Sequence, residues 1–274
     1  MKQSPFRAIR QKLFHEGKLL RYLTYAVGEI LLIIIGIMIA LQLNNWNEDR
    51  KSRGIEIEIY QELLEDLKAS HEDIKPGLER HERCLQDTYD VRDHILKKAP
   101  FQQDIVRKFV NADADDQFYP RTTGYDYLNS IGLHTLSNDD LRKAITSLFQ
   151  LSFTRLVNLG PQASEQYSLT FFRAVEDKHI VMSDVPRNYK NNDPSDTVLN
   201  YRWKFRDYDD FLNDEDVLKE LQNVIGLRRI RVSRHQSTAD EIVDLVKKIE
   251  AELEHLGAKI TGERLSVQLE GNDS

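Results

Sequence analysis

The sequence of 274 residues has one cysteine and none of the short motifs that mark common catalytic sites. A single cysteine excludes an internal disulfide framework and a cysteine-cluster metal site, so Cys84 is either a buried free thiol or a link between two copies. There is no H-E-x-x-H pattern, no glycine-rich phosphate loop and no G-x-S-x-G nucleophile turn. We therefore predict no enzymatic activity and no cofactor, although catalytic groups need not be neighbours in sequence.

Two patterns that could indicate a metal site also fail. The run NADADD, which begins at Asn111, matches a calcium-binding loop at three positions, but Asp116 replaces the required glycine and Thr122 replaces the closing glutamate. The eight histidines have no metal-ligand spacing, and we interpret His71 and His81 as solvated or packed residues of one helix. No metal ion is therefore predicted.

The mean hydropathy of −0.54 is typical of a soluble protein, but this average conceals one apolar segment. Residues 30–41 are twelve consecutive apolar or glycine residues, and residues 22–43 add only three polar interruptions. A helix of this length extends about 33 Å and can cross the roughly 30 Å hydrocarbon layer of a bilayer. A cleaved signal peptide is the alternative, but its cleavage site needs small residues, and Met38 is bulky. We predict an uncleaved transmembrane helix at residues 22–43.

The distribution of charge predicts the orientation of this helix. Residues 1–25 carry six basic side chains and one acidic side chain, whereas the chain from Asn44 onward has a net charge of −11. Excess lysine and arginine stays on the cytoplasmic side of a membrane. We predict a cytoplasmic segment at residues 1–21, a periplasmic domain at residues 44–256 and a carboxy-terminal tail at residues 257–274, held at the inner membrane of a Gram-negative cell.

The flanks of the apolar segment also carry membrane signals. Residues 1–21 place four apolar side chains on one helical face among basic ones: Phe6, Ile9, Leu13 and Leu20. This pattern is typical of an amphipathic helix on an anionic membrane surface, and it equally fits a positive flank that only sets the topology. Beyond the segment, Trp46 is predicted to anchor the helix at the opposite membrane interface.

Glu29 is the charged residue of the apolar segment. A carboxylate near the centre of a membrane helix costs on the order of 2.5 to 3.5 kcal/mol, so it needs a partner or a proton. Gly36 and Ala40 lie on nearly the same helical face, and we predict that Glu29, Gly36 and Ala40 form a packing face for a second membrane helix. In the alternative interpretation the span starts later and Glu29 reaches the cytoplasmic interface.

The amino-terminal region resembles a known family. It contains a basic RQKL lead at residues 10–13, a YAVGEI motif at residues 25–30, an IGIMIALQ core at residues 35–42 and an NNWNE exit at residues 44–48. These motifs are similar to the amino-terminal signature of a family of single-pass membrane proteins of unknown function that is common in Bacteroidota. The segment YDYLNSIG, which begins at Tyr125, is a weaker similarity. The resemblance implies a topology and no activity, so it assigns no functional residue.

Beyond the membrane segment the sequence predicts an all-α protein, an elongated helical bundle with long coiled-coil-like helices. In the first long helix, apolar positions recur every seven residues from Tyr60 and from Leu64, although the stripe is imperfect. Pro76 and Gly77 fall inside this stripe, so we expect either a kink or two consecutive helices there.

The middle of the chain is less regular. Residues 99–136 are predicted to be irregular, and Ser137 opens a capping box for a helix that Gly160 ends. A further helix is predicted over residues 161–178, because proline is favoured at a first helical position. Residues 183–208 have the composition of a loop.

The last helix has the most regular pattern of the sequence. Two rows of positions spaced by seven start at Leu218 and Leu221, and ten of their twelve members are apolar. The exceptions are Arg228 and His235, and polar residues in such a seam more often set the register of packing than bind ligands. Asn213 is predicted to start this helix, with Asp214, Glu215 and Asp216 in its first turn, and Gly257 is predicted to end it.

A basic run in this acidic domain is a candidate binding site, and it consists of Arg228, Arg229, Arg231 and Arg234. An anionic ligand could bind there. In the plainer interpretation, these side chains face the acidic surface of the first long helix at residues 56–73. Nucleic acid is not a predicted partner, because the domain is acidic and is placed outside the cytoplasm.

Two functions follow from the predicted architecture. The first is a structural or protein-interaction module of the cell envelope, with the lipid bilayer and an envelope protein or a second copy as partners. The second is a ligand-sensing periplasmic domain. Only about 25 residues are predicted to lie inside the cell, so a sensing domain would signal through a partner membrane protein.

Overall fold

The computed structural model describes residues 18–160, 170–183 and 202–258. The predicted all-α class is confirmed, because a long amino-terminal helix is followed by further helices and by almost no strand. The amphipathic segment predicted at residues 1–21 lies almost entirely outside the described residues, and so does most of the predicted tail.

The elements follow one another along the chain as helices, with one strand pair near the end. The helices are α1 (Lys18–Leu96), α2 (Gln103–Val110), α3 (Thr123–Ile131), α4 (Asp139–Ser147), α5 (Thr154–Val157), α6 (Thr170–His179), α7 (Tyr208–Asn213) and α8 (Glu215–His255). Two 3₁₀ turns lie at Asn111–Asp113 and Leu133–Thr135, and a π-helix joins α4 to α5 at Leu148–Phe153. The strands are β1 (Ile180–Ser183) and β2 (Arg202–Phe205).

The described residues divide into two compact units, one that ends at Glu56 and one that begins at Ile57. The first unit is the amino-terminal part of α1, in which nearly every described side chain is exposed. Among the described helices, α1 is long and apolar enough to cross a membrane, and none of its most apolar stretch is buried inside the protein. Length and composition therefore make this part of α1 a candidate membrane span.

In the second unit, α1 contributes a buried face that repeats every seven residues. All six members of the row predicted from Tyr60 are buried: Tyr60, Leu67, Ile74, His81, Thr88 and Ile95. In the row predicted from Leu64, only Leu64 itself is fully buried. The fully buried companion row is instead Leu63, Ser70, Gly77, Cys84 and Val91. The apolar pattern of the sequence does not reveal this row, because three of its members are a serine, a glycine and a cysteine.

Around Pro76 the sequence predicts either a kink or two consecutive helices. The helix α1 continues through Pro76, so the interpretation as two consecutive helices is wrong. Pro76 is exposed, whereas Gly77 is buried. A proline inside a helix removes one backbone hydrogen bond, and packing of the buried face offsets this loss.

The carboxy-terminal helix α8 ends as predicted, but its N-cap is Asp214 and not the predicted Asn213, which is the last residue of α7. The Asp214 side chain caps it by accepting a hydrogen bond from the Asp216 amide at 2.9 Å, and Gly257 follows its last turn with a φ of 75°. Both predicted rows are buried or half-buried throughout, and a third row is buried beside them: Val217, Val224, Arg231, Thr238 and Leu245. Three buried rows are typical of a helix in a globular bundle, and a two-row seam is typical of a coiled coil.

Helices α1 and α8 run antiparallel in the second unit. Lys68 forms an ion pair with Glu250 at 3.3 Å, and His81 contacts Arg228 at 2.9 Å. One hydrophobic core joins residues 59–74 of α1 to residues 239–253 of α8 and includes α3, α4, the π-helix and α5. The other core joins Val91 and Ile95 to the amino-terminal part of α8 and includes α2, α6 and the strand pair. Between these cores, most of the buried residues of the two helices are polar.

The region predicted to be irregular, residues 99–136, contains α2 and α3, so that prediction is wrong in part. These helices have eight and nine residues, which gives too few turns for a period to be recognised. Gly124, in α3, meets α1 so closely that a Cβ atom there would lie 2.8 Å from the Leu63 backbone nitrogen.

The helix predicted from Ser137 is present, but the capping residue differs. Asn138 is the N-cap, and its side chain accepts a hydrogen bond from the Leu141 amide at 3.1 Å. The helical segment ends at Val157, shortly before Gly160, as the sequence predicts. Its π-helical turn buries four side chains: Leu148, Phe149, Ser152 and Phe153.

The region before α8 departs furthest from the sequence-based expectation. The helix predicted over residues 161–178 is described from Thr170 onward, as α6. The region predicted to be a loop, residues 183–208, includes β2, which pairs antiparallel with β1. Each strand has four residues, which is too short for a reliable alternating pattern.

Candidate functional site in a buried polar layer

Between the two hydrophobic cores, α1 and α8 bring polar side chains together. We call this group the polar layer and define it by its five members: His81, Asp115, Arg228, Arg231 and His235. Arg228 is 0% exposed and Arg231 is 1% exposed. A buried charge is costly unless it is paired and hydrogen-bonded, so the contacts of these arginines decide what the layer does.

The Arg228 guanidinium is held by acceptors from two other segments. Its Nη2 atom donates to the Ala112 carbonyl at 2.9 Å and to the Ala114 carbonyl. Its Nη1 atom donates to Nδ1 of His81 at 2.9 Å and lies 3.9 Å from the Asp115 carboxylate. These contacts connect α8 to α1 and to the segment that follows α2.

Arg231 and Gly77 also help to position the segment that follows α2. Arg231 donates to the Asp115 carboxylate, whose side chain is only 14% exposed. The Asp116 carboxylate faces Arg80 of α1 at 3.9 Å. A Cβ atom at Gly77 would lie 2.6 Å from Oδ2 of Asp116, so the missing side chain gives this carboxylate its place beside α1.

The hydrogen bonds of the two histidines define where their protons lie. A guanidinium group only donates, so Nδ1 of His81 accepts and the ring proton is on Nε2. Nδ1 of His235 donates to the Arg231 carbonyl at 2.8 Å. The two rings are in edge contact, with centroids 4.7 Å apart.

The surroundings of both histidines favour the neutral ring. Burial, together with the neighbouring His235 and arginines, lowers the pKa of His81 to about 2. Burial also lowers the pKa of His235 below its usual value, although Asp115 and Asp116 act in the opposite direction. Both imidazoles are therefore uncharged near pH 7.

The basic run predicted from the sequence does not form one surface. Arg228 and Arg231 are buried in the polar layer, whereas Arg229 and Arg234 are exposed. For the two buried arginines, the expectation that they face residues 56–73 is wrong, because the partners described above come from residues 81 and 112–115. The prediction that Arg228 and His235 lie in the packing seam is confirmed.

The polar layer also gives the NADADD run a structural role. The Ala112 and Ala114 carbonyls and the Asp115 carboxylate of this run all accept from guanidinium groups of α8. The acidic run that resembles a cation-binding loop thus binds two arginine side chains of the same chain. One signal in the sequence pointed to this contact, since His81, Arg228 and His235 are polar residues at buried seam positions.

A second polar contact set, which the sequence did not reveal, lies on α1 beside the first core. Three side chains of α1 accept hydrogen bonds from backbone amides of residues 119–124, which lead into the first turn of α3. Asp66 accepts from Gly124 at 2.7 Å, Ser70 accepts from Arg121 at 2.9 Å, and Asp73 accepts from Tyr119 at 3.1 Å. Burial raises the pKa of Asp66. These contacts fix the backbone of residues 119–124 against α1.

A third polar group joins α6 to the beginning of α8. The Asp214 carboxylate accepts from Nζ of Lys178 at 2.6 Å and from Nε2 of His179 at 2.7 Å. The hydrogen bond from Lys178 lowers the pKa of Asp214 to about 2. His179 is 1% exposed, so this histidine and aspartate pair is inaccessible to a substrate.

The described residues contain neither a clustered metal site nor an exposed thiol. Among residues 18–160, 170–183 and 202–258, no group of three or more histidine, cysteine or acidic residues is placed to hold a metal ion. Cys84 is a buried free cysteine, and burial raises the pKa of its thiol. A protonated, inaccessible thiol is a poor nucleophile.

The predicted membrane features lie in the first unit. Glu29, Ala40 and Trp46 are exposed there, and a Cβ atom added at Gly36 would meet no other atom within 4 Å. The predicted packing face and the interfacial anchor therefore remain available for contacts outside the chain, and they stay predictions.

Comparison with known proteins gives one family. No curated protein and no solved structure matches the chain. A family model described as a family of unknown function, DUF6090, matches residues 29–168, just over half of the sequence. The matched range contains the second half of the amino-terminal signature and the segment that begins at Tyr125. The chain therefore belongs to DUF6090, a family of unknown function.

Proposed function

We propose that the protein is a single-pass inner-membrane protein whose helical domain, residues 44–256, lies in the periplasm. The observation that carries this proposal is the surface of α1, which exposes the apolar residues 30–41 and then enters the core of the second unit. A continuous apolar surface of this size is unfavourable in water and favourable in lipid. The excess of basic residues before the span supports a cytoplasmic amino terminus.

The proposed work of the domain is structural, as a protein-interaction module of the cell envelope. The buried arginines and histidines contact one another and the backbone, so their chemistry is used within the fold. Membership of a family of unknown function agrees with an unassigned activity. A module of this kind acts by presenting surfaces to an envelope protein or to a second copy.

Cysteine labelling in cells tests the membrane topology. In a Cys84→Ala background, a cysteine placed at Arg53 is expected to react with a membrane-impermeant maleimide once the outer membrane is permeabilised. A cysteine at Ser4 is expected to react only after lysis, which makes it the matched control. Labelling in the reverse order, or release of the protein from membranes without detergent, would contradict the proposal.

We also propose that the face formed by Glu29, Gly36 and Ala40 packs against the same helix of a second copy. Small residues allow close backbone approach, and a protonated Glu29 can donate a hydrogen bond within the contact. Cross-linking in membranes is expected to lose its dimer product in a Gly36→Ile, Glu29→Leu variant. The control is Met38→Ile, which lies about 200° around the helix from Gly36. Unchanged cross-linking in the double variant would disprove this contact.

Affinity purification in mild detergent tests the interaction role. We expect reproducible capture of the same envelope proteins. This capture is expected to be lost when residues 57–258 are deleted and to be kept when only the apolar segment is replaced by another membrane helix.

Sensing is the second candidate function. The polar layer favours it, because a buried polar group between two hydrophobic cores can change its contacts while the cores stay packed. A small molecule that co-purifies with the chain would support sensing instead.

A further inference from the structure

The polar layer interrupts the helix pair at its midpoint, and its hydrogen bonds require a neutral histidine. On α1 it lies between Ile74 and Val91, and on α8 it lies between Ile225 and Ala239. Nδ1 of His81 can accept from Arg228 only while it carries no proton. A proton taken up from solvent at this atom turns the acceptor into a donor and breaks the bond.

The charges around the two rings determine the response to that proton. Arg80 from α1 and Arg228, Arg231 and His235 from α8 face His81, and all of them are cationic or can become so. The ring of His81 is 0% exposed, so water does not screen the added charge. Asp115 and Asp116, from the segment after α2, face His235 together with Arg231 and partly compensate a proton there. His81 is therefore the more sensitive of the two histidines.

We propose that the polar layer is an acid-sensitive clamp, in which protonation of His81, assisted by His235, releases the segment 111–116 from α1 and α8. The clamp consists of the bonds from Arg228 to His81, Ala112 and Ala114 and the bond from Arg231 to Asp115. Ala112 is the member of this segment that packs into a hydrophobic core, the one around Val91 and Val217. The first core, around residues 59–74 and 239–253, is formed without the segment, so its apolar contacts hold α1 and α8 together while the segment opens. This inference concerns the response of the fold to acid and does not depend on the membrane location.

The size of the effect follows from proton linkage. A histidine that is neutral when buried and titrates near pH 6.5 when released favours the open form about tenfold for each pH unit below that value. At pH 5.0, full release of His81 to solvent increases the opening equilibrium by about thirtyfold over its value at pH 7.5, which is the upper bound because Arg228 and Arg231 stay on α8. Above pH 7 the ring is neutral in both forms, and acid sensitivity disappears.

Hydrogen exchange of the full chain in lipid nanodiscs tests the clamp. After correction for the intrinsic pH dependence of exchange, the amides of residues 111–116 are expected to open up to about thirtyfold more at pH 5.0 than at pH 7.5, whereas Ile105, Val106 and Phe109 of α2 keep their protection in the second core. Peptides from the first core, residues 59–74 and 242–253, are expected to keep their protection. Equal opening of the core peptides would show general acid unfolding, and an unchanged segment would show no clamp; either result overturns the proposal.

Replacement of His81 by a residue that cannot be protonated tests its role, and replacement of the exposed His255 is the matched control. In His81→Asn, the amide oxygen can still accept from Arg228 but cannot be protonated, so the pH response of residues 111–116 is expected to fall to the small part that His235 contributes. His255→Asn changes an exposed histidine of α8 and is expected to keep the full response. A full response in His81→Asn would disprove the assignment. Where that variant does not fold, histidine C2-hydrogen exchange of the unmodified chain decides, since a pKa near 6.5 for His81 in the folded protein contradicts the clamp.

Discussion

Arg228 and Arg229 are neighbours in the sequence, yet one is fully buried and the other is exposed. Replacing Arg228 with methionine leaves Nδ1 of His81 and two carbonyls without their donor inside the protein. Removing one partner of a buried charged contact typically destabilises a protein by about 3–5 kcal/mol, and we expect an effect of this size. The measurement is urea unfolding of the detergent-solubilised chain, followed by circular dichroism.

Arg229→Met is the matched control for this substitution, since it removes the same charge one residue away. Its expected effect is within about 0.5 kcal/mol, as for most surface substitutions. Similar unfolding midpoints for the two variants would contradict the assignment of Arg228 to a buried structural contact.

Gly124 is the residue at which α3 comes closest to α1. An added methyl group would lie 2.8 Å from the Leu63 nitrogen and 2.9 Å from the Glu62 carbonyl carbon, and backbone atoms of a packed helix cannot move aside. Gly124→Ala is expected to lower the free energy of unfolding by about 1–3 kcal/mol. Gly226→Ala, in α8, has open space around it and is expected to stabilise its helix by up to about 1 kcal/mol. A stabilising Gly124→Ala would show that the two helices are not in close contact.

At the scale of elements, side-chain acceptors of α1 fix the start of α3 and the residues just before it. Asp66→Ala leaves the Gly124 amide without its acceptor, and an unpaired buried donor costs about 1–3 kcal/mol. Faster hydrogen exchange of residues 119–131 is therefore expected, while Asp66→Asn, which keeps an acceptor oxygen, retains most of the protection. Glu65→Ala, on the exposed side of the same turn, is the control. Equal exchange in the alanine and asparagine variants would contradict the role of this hydrogen bond.

The helices and strands also show which parts of the fold can be predicted from sequence patterns. The long helices were predictable because their periods repeat over many turns, and the row from Tyr60 is buried throughout. The row from Leu63 was not, because Ser70, Gly77 and Cys84 contribute small size and close approach, which an apolar pattern does not detect. The short helices α2 and α3 and the strand pair lack the length needed to establish a period.

The candidate site was predictable only in part, for a physical reason. The seam positions of His81, Arg228 and His235 follow from periodicity, and all three are buried. Their partner Asp115 lies in a short irregular run 116 residues before Arg231, and only the packing of both long helices brings the two together. Contacts of this range depend on the tertiary arrangement, which local patterns do not contain.

For the molecule as a whole, buried histidines determine how stability depends on pH. The pKa of each of His71, His81, His94 and His235 is lowered, in every case mainly by burial. The unfolded chain binds protons at these residues below about pH 6.5, and the folded chain does not, so the free energy of unfolding falls as the pH falls. The lowered pKa of Asp214 adds a further loss only below the usual pKa of an aspartate, whereas the raised pKa of Asp66 acts in the opposite direction.

This whole-molecule effect has a definite window. The contribution of the histidines to the free energy of unfolding is expected to be constant above pH 7 and to decrease below pH 6.5. At pH 5.0, His81 alone accounts for a loss of about 2 kcal/mol. Urea unfolding between pH 8 and pH 5 measures this loss, and His81→Asn is expected to flatten the profile by the same amount, while His255→Asn leaves it unchanged. A stability that rises toward pH 5 would require histidines that gain protons on folding, and this would contradict a buried, neutral His81 between the two cores.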